Sequence, residues 1–244
     1  MSITVENKIA LVTGANRGIG KSIVETFINH GAKKVYLAVR DVNSTKELEQ
    51  KYGDKVITLK ADVSDTKSIN ELAKKANDVD IVVNNAGIGN PCGLVDNNAE
   101  SDFMSQLQVN AFGLLRVANA FAKTLESKKG ALVQLNSIAS IKNFSQLSTY
   151  SASKAASYSL TQGLRTELGA KGVSVLSVHP GPIDTDMAAA AGFEGASPIA
   201  EVSEGIINAL KAGVFHLFPD QMAKQFENAY ENFSENIVMA DFSE

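Results

Sequence analysis

TGANRGIGKS, residues Thr13–Ser22, matches two kinds of phosphate-binding loop. Its glycines at Gly14, Gly18 and Gly20 are typical of the turn that opens a dinucleotide-binding helix. Residues 15–22, ANRGIGKS, differ from the nucleoside-triphosphate loop G-x-x-x-x-G-K-[ST] only in having alanine at the first position. The first pattern indicates a redox enzyme and the second an ATPase or kinase, so the rest of the chain has to distinguish them.

Short β-branched runs alternate with longer segments that carry apolar residues at helical spacing. This alternation predicts a doubly wound α/β domain of Rossmann type, with a seven-stranded parallel sheet flanked by helices. We expect one domain over residues 1–220, followed by an acidic amphipathic tail of the same domain over 221–244. The predicted strands are Ile9–Thr13, Val35–Val39, Val56–Leu59, Ile81–Asn84, Ala131–Asn136, Val173–Val178 and Val214–Phe218, and the predicted helices are Gly20–Asn29, Ser44–Lys51, Lys67–Ala76, Asp102–Leu125, Ala152–Leu168 and Glu201–Lys211.

Composition and charge narrow the class of protein. The 244 residues are 44% hydrophobic and 20% charged, with a net charge of −4, which offers no general attraction to nucleic acid or to an anionic membrane. The single cysteine, Cys92, excludes an intrachain disulfide, and no secretory or membrane-spanning segment is visible. We therefore expect a cytoplasmic protein. The histidines, His30, His179 and His216, lack metal-ligand spacing, so no metal site is expected.

Two further patterns favour the dinucleotide loop. A triphosphate enzyme needs an aspartate at the end of an apolar strand to hold magnesium, but the best candidate, DIVVNNAG, ends in Asn84 and Asn85. The segment YSASK places Tyr150 and Lys154 four residues apart, on one face of a helix. Ser137 follows a predicted strand, where it can reach the same edge of the sheet as the glycine loop.

In these features the chain resembles the short-chain dehydrogenase/reductase family over roughly residues 5–220. The resemblance rests on ordered motifs: TGANRGIG, NNAG at residues 84–87, Asn110 in VNAFG, Ser137, YSASK, and PGPIDT at residues 180–185. It implies a reversible NADP(H)-dependent alcohol dehydrogenase or carbonyl reductase that acts on a small ketone or aldehyde. A 3-oxoacyl thioester reductase is the alternative enzyme, and a regulator that binds the dinucleotide without turnover is the alternative of another class.

The resemblance assigns catalytic roles to Asn110, Ser137, Tyr150 and Lys154. Tyr150 is the general acid for carbonyl reduction, and a nearby ammonium lowers the phenol pKa from its usual value of about 10. Lys154 supplies that charge and also binds the nicotinamide ribose. Ser137 hydrogen-bonds the carbonyl oxygen, with Ser140 as a rival, and Asn110 holds a water through which Lys154 exchanges protons.

The resemblance also assigns a cofactor site. The motif NNAG stabilises the central sheet and lines the adenine ribose, with Asn84 facing the cofactor, and Asp62 bonds the adenine edge. Residues 180–185 bind the carboxamide end, Ile183 through its backbone and Thr185 through its hydroxyl. Helix capping, by Ser64 or Asp65, is the competing explanation for the cluster that includes Asp62. The expected cofactor-binding residues are Gly14, Asn16, Arg17, Gly18, Ile19, Gly20, Arg40, Asp62, Val63, Asn84, Ala86, Gly87, Tyr150, Lys154, Pro180, Gly181, Ile183 and Thr185.

The end of the second strand predicts NADPH rather than NADH. NAD-selective sites carry an acidic residue there for the ribose 2′-hydroxyl, whereas this chain has Val39 followed by Arg40. Arg40 and Arg17 are placed to bind a 2′-phosphate. Asp41 would oppose that phosphate, and we expect it outside the pocket, at the turn before the next helix.

Three features remain as expectations about substrate and assembly. Residues 88–91, 138–147 and 187–197 should shape the substrate pocket, and the last of these segments, rich in alanine, suggests a lid for a moderately apolar carbonyl compound. Small residues on the helix of Tyr150 resemble the family's dimer face, which indicates a homodimer or homotetramer. Met222, Phe226, Tyr230 and Phe233 form a helical stripe in the tail that should dock on the body or on a neighbouring subunit.

Overall fold

A seven-stranded, wholly parallel sheet forms the centre of the computed structural model, which describes residues 1–190, 192 and 195–240. The strands are β1 (Ile9–Thr13), β2 (Lys34–Val39), β3 (Val56–Lys60), β4 (Ile81–Asn84), β5 (Ala131–Leu135), β6 (Ser174–Val178) and β7 (His216–Leu217). Their spatial order, β3-β2-β1-β4-β5-β6-β7, reverses direction between β1 and β4. The predicted fold is confirmed, and a crevice at this reversal is where such sheets bind ligands.

Helices cover both faces of the sheet. They are α1 (Gly18–Asn29), α2 (Lys46–Tyr52), α3 (Thr66–Lys75), α4 (Ala99–Asn110), α5 (Phe112–Lys128), α6 (Ser148–Gly169), α7 (Asp186–Ala190), α8 (Ile199–Ala212) and α9 (Gln221–Phe233). The two larger apolar clusters contain Phe27 of α1 and Phe121 of α5, whose side chains are fully buried, and a smaller one contains Phe218. No helix in the described ranges is long and apolar enough to cross a membrane.

The predicted helix Asp102–Leu125 is two helices, interrupted at Ala111. Just before the interruption, Asn110 donates from its amide to the Ile88 carbonyl and accepts from the Ile88 N–H, at 2.8 and 2.9 Å. Apolar spacing continues through this point and therefore did not reveal the break. The consequence is that Asn110 ties the end of α4 to the loop after β4.

The tail forms α9 and a following π-helical turn, Ser234–Val238. Phe226 and Tyr230 pack against the body of the same subunit, whereas Met222 and Phe233 remain 42% and 52% exposed. The apolar stripe thus docks through its middle, and its two ends stay open to solvent.

Candidate active site

The glycine loop brings the start of α1 into close contact with the end of β1. Gly14 has a φ of +65°, which favours glycine. A Cβ at Gly20 would lie 2.1 Å from the Gly14 carbonyl oxygen, so no other residue fits there without movement. Arg17 at the N-cap of α1 makes no side-chain capping bond. The first N–H groups of α1 are therefore left for a ligand, at the end of the helix that favours an anion.

These N–H groups open into a groove of about 630 Å³ along the carboxyl ends of the strands. The groove collects most of the predicted cofactor residues: Gly14, Asn16, Arg17, Gly18, Ile19, Gly20, Arg40, Asp62, Val63, Ala86, Gly87, Tyr150, Lys154, Pro180 and Thr185. Residues from six different strand ends or the loops after them thus form one continuous wall.

Asn84 is not part of that wall, contrary to expectation. Its side chain is buried in the sheet, where Nδ2 donates to the side-chain oxygen Oε1 of Gln134 at 2.8 Å and Oδ1 accepts from the Thr13 hydroxyl at 3.4 Å. Asn85 lines the groove instead and donates to the Thr13 carbonyl at 2.9 Å. Because side chains alternate along a strand, the first asparagine of NNAG points into the protein and holds the sheet together.

Gly181 and Ile183 also lie outside the groove and line a neighbouring apolar pocket. The N–H of Gly181 donates to the Asp220 carboxylate at 2.7 Å, and Ile183 is only 4% exposed. They lie between Pro180 and Asp184, which do line the groove, so their contact with the cofactor stays a prediction.

Asp62 lies in a loop that faces the groove, and its carboxylate is engaged within that loop. It lines the groove, and one carboxylate oxygen accepts from the Ser64 N–H at 2.9 Å and the Ser64 hydroxyl at 2.6 Å. The hydroxyl of Ser64 holds the pKa of Asp62 below its usual range, although burial acts in the opposite direction. Asp65 is the capping residue of α3, since it accepts from the Lys67 N–H at 2.9 Å.

The end of β2 presents an exposed arginine to the groove. Arg40 lines it and makes no side-chain hydrogen bond or ion pair with the described residues. Asp41 caps the turn that follows by accepting from the Asn43 N–H at 2.9 Å, as expected, but it also lines the groove. Arg17 is engaged elsewhere: it forms a 2.9 Å ion pair with Asp186, and both side chains are more than 70% exposed.

Tyr150 and Lys154 meet where the groove and the apolar pocket join. The Lys154 ammonium lies 5.8 Å from the centre of the Tyr150 ring and donates to the Leu135 carbonyl at 2.7 Å. Burial lowers the pKa of Lys154 to about 8, because the charged form loses its hydration. Burial also raises the pKa of Tyr150 to about 12, partly offset by a hydrogen bond with Ser137. In this structure Lys154 therefore does not lower the pKa of Tyr150, although the sequence predicted that it would.

Ser137 belongs to a buried network that the sequence did not reveal. Its hydroxyl accepts from the Ala139 N–H at 3.1 Å and donates to the Pro180 carbonyl at 3.3 Å. The rival Ser140 donates to the Ser137 carbonyl and contacts Nδ1 of His179 at 3.0 Å, so its hydroxyl is engaged behind the site. His179 is fully buried, and burial lowers its pKa to about 3, which keeps the imidazole neutral.

The second pocket, of about 140 Å³, adjoins the groove at Tyr150 and Thr185. It contains parts of all three segments that were expected to shape the substrate pocket, in Gly89, Ile138 and Met187. Residues 191, 193 and 194 of the expected lid lie outside the described residues. Met222 of α9 joins the lining, although the sequence indicated it only as part of the apolar stripe of the tail. No charged side chain is among the described residues that line the pocket.

Comparison with known proteins identifies the family. The family described as short chain dehydrogenase matches residues 8–194. This chain belongs to the short-chain dehydrogenase family. An uncharacterized oxidoreductase of Staphylococcus saprophyticus is 35% identical over 194 residues, which cover 76% of this chain and 82% of the relative. The chain is accordingly an oxidoreductase of this family.

Two solved structures share the fold at 28% identity. A short chain dehydrogenase from Burkholderia cenocepacia in complex with NADP matches with a TM-score of 0.88, over 98% of this chain and 100% of that one. An alcohol dehydrogenase from Thermococcus sibiricus complexed with 5-hydroxy-NADP matches with a TM-score of 0.76, over 84% of this chain and 90% of that one. Both of these short-chain dehydrogenase neighbours were crystallised with a cofactor of the NADP type.

Proposed function

We propose that this short-chain dehydrogenase transfers hydride reversibly between NADP(H) and a small ketone or aldehyde. The observation that carries the proposal is the position of Tyr150, which lines both the long groove and the short apolar pocket. Ser137 lines the pocket beside it, and Lys154 lies in the groove behind it. A carbonyl group held at this junction would meet a hydroxyl acid on one side and the groove on the other.

The groove fits a dinucleotide phosphate. The uncapped start of α1 offers free N–H groups to a pyrophosphate, and the missing side chain of Gly20 lets α1 approach closely. Arg40, with Val39 before it, offers a guanidinium for a 2′-phosphate at the end of β2, while the carboxylate of Asp41, which also lines the groove, is engaged by the Asn43 N–H. Lys154 would hold the nicotinamide ribose, and Thr185 the carboxamide. When bound there, NADPH supplies the hydride. The NADP complexes of the two 28% identical structures support the same choice.

The chain's own residues would move the proton. Because burial raises its pKa to about 12, Tyr150 is protonated at neutral pH and is ready to donate to the carbonyl oxygen. Ser137 would hydrogen-bond the same oxygen and stabilise the charge that develops on it. Lys154, with a pKa of about 8, gains and loses a proton near physiological pH and so could return one to Tyr150. Asn110 holds the Ile88 loop beside this path.

The test is NADPH oxidation against ketones, aldehydes and 3-oxoacyl thioesters. We expect turnover with small ketones or aldehydes, and Tyr150→Phe should reduce it at least about 10²-fold, roughly 3 kcal/mol, with cofactor affinity nearly unchanged. Tyr52→Phe, on α2 and outside both pockets, is the matched control. Turnover with 3-oxoacyl thioesters alone would show that thioesters, and not small ketones or aldehydes, are the substrates. A Tyr150→Phe variant with full activity would show that Tyr150 is not the general acid.

A further inference from the structure

The start of α9 forms part of the wall of the apolar pocket. Met222, the second residue of this helix, lines the pocket together with Phe144, Leu147 and Met187. Met222 is 42% exposed and Met187 is 41% exposed, which is unusual for large apolar side chains on a concave surface. A ligand in the pocket would cover these side chains, so both offer apolar area for binding.

A buried carboxylate fixes the position of Met222. Asp220 is only 1% exposed, and its two oxygens accept from two backbone N–H groups: that of Ala223 at 3.0 Å and that of Gly181 at 2.7 Å. The first bond caps α9 and the second ties it to the loop after β6. A Cβ at Gly181 would lie 2.7 Å from the Asp220 carboxylate and 3.3 Å from the Met222 Cβ, so glycine is needed for this contact.

We propose that Met222 is a specificity-determining residue that selects substrates with an uncharged alkyl substituent on the carbonyl. The inference rests on the proposed function, because it assigns the apolar pocket to the substrate. A carboxylate placed there would lose hydration and meet no cation among the described lining residues. An alkyl chain would instead exchange water for the methionine thioether, whose flexibility allows it to follow chains of different length.

The experiment compares two substrates of similar shape and two variants that carry the same added charge at different positions. The pair 5-methyl-2-hexanone and 4-oxopentanoate differs in carrying an isopropyl group or a carboxylate at the same end. We expect the wild type to favour the ketone by more than tenfold in kcat/KM and to gain about fourfold per methylene from 2-butanone to 2-hexanone. Met222→Lys should lower that preference at least tenfold, because the added ammonium faces the carboxylate. The control, Gln225→Lys, adds the same charge at an exposed position of the same helix.

Binding of hexanamide, an unreactive carbonyl analogue, separates this inference from the proposed function. Calorimetry with NADP⁺ present should show hexanamide binding at least tenfold more tightly than acetamide, and Met222→Lys should remove that advantage while Gln225→Lys keeps it. If no ketone is reduced but this binding pattern holds, the proposed function fails and the role of Met222 stands. If Met222→Lys and Gln225→Lys give the same substrate preference and the same hexanamide affinity, the inference is overturned.

Discussion

Replacing Lys154 with methionine should make the cofactor-free protein more stable while abolishing its activity. Lys154 is only 5% exposed, and the one hydrogen-bond partner of its ammonium among the described residues is the Leu135 carbonyl. That carbonyl also accepts from the Gln134 amide at 3.1 Å, so it keeps a partner when the lysine is gone. Methionine has a similar length and carries no charge to desolvate.

The magnitude follows from the pKa of Lys154, which burial lowers from 10.5 to about 8. A folded-state pKa below the unfolded one means that the unfolded chain binds the proton more tightly, so protonation of Lys154 favours unfolding. The penalty is fully present below pH 8 and disappears as the pH rises from 8 to 10.5. It amounts to about 3 kcal/mol at pH 7 and about 1.5 kcal/mol at pH 9.5.

Urea unfolding of both proteins at these two pH values is the assay. Lys154→Met should raise the free energy of unfolding by up to about 3 kcal/mol at pH 7 and by about half as much at pH 9.5. Other titrating groups cancel in the comparison, because they are shared. A variant that is less stable than the wild type, or a difference that does not change with pH, would refute the electrostatic reasoning.

Three further predictions concern the cofactor, the glycine loop and the assembly. The unmodified protein should prefer NADPH over NADH at least tenfold in kcat/KM, about 1.4 kcal/mol, and Arg40→Asp should shrink or reverse this ratio; equal use of both cofactors would contradict the assignment. Gly20→Ala should lower the free energy of unfolding by about 2 kcal/mol in a urea titration and weaken NADPH binding, because its Cβ meets a carbonyl. Gly163→Ala, an exposed helical site with open space around it, should be neutral or stabilising, and equal effects of the two would be inconsistent with the close contact. Light scattering should report a dimer or tetramer at micromolar concentration, since Ala155 and Ser159 leave an exposed small-residue face on α6; a monomer would exclude it.

The sheet could be predicted closely wherever strands are buried on both faces. The predicted bounds of β1, Ile9–Thr13, and β4, Ile81–Asn84, agree with the structure, because a short β-branched run between turns has few other interpretations. The last strand was predicted as Val214–Phe218 but pairs with β6 only at His216–Leu217, whereas the other edge strand, β3, pairs with β2 at five positions. The sequence pattern alone does not show how many residues of an edge strand pair with the neighbouring strand.

Within the site, the sequence motifs indicated which residues come together, but they indicated neither the direction of each side chain nor long-range contacts. The glycine loop, Tyr150 and Lys154 all line the groove. Asn84 was misplaced because a motif gives the order of residues and not the face to which each side chain points. Met222 reaches the apolar pocket because Asp220, beside it, binds the N–H of Gly181, which lies some 40 residues earlier in the chain. No local sequence pattern predicts such a contact.

The ion pair between Arg17 and Asp186 bears on how quickly an anion can enter the groove. It joins the glycine loop to the start of α7, and water reaches more than 70% of each side chain. Such a pair contributes at most about 1 kcal/mol, so thermal motion separates it readily, and dissolved salt weakens it further. A phosphate that enters the groove can therefore replace Asp186 as the partner of Arg17 at little cost in free energy. In the proposed function, the cofactor phosphate would therefore compete with Asp186 for the guanidinium of Arg17 as it enters the groove.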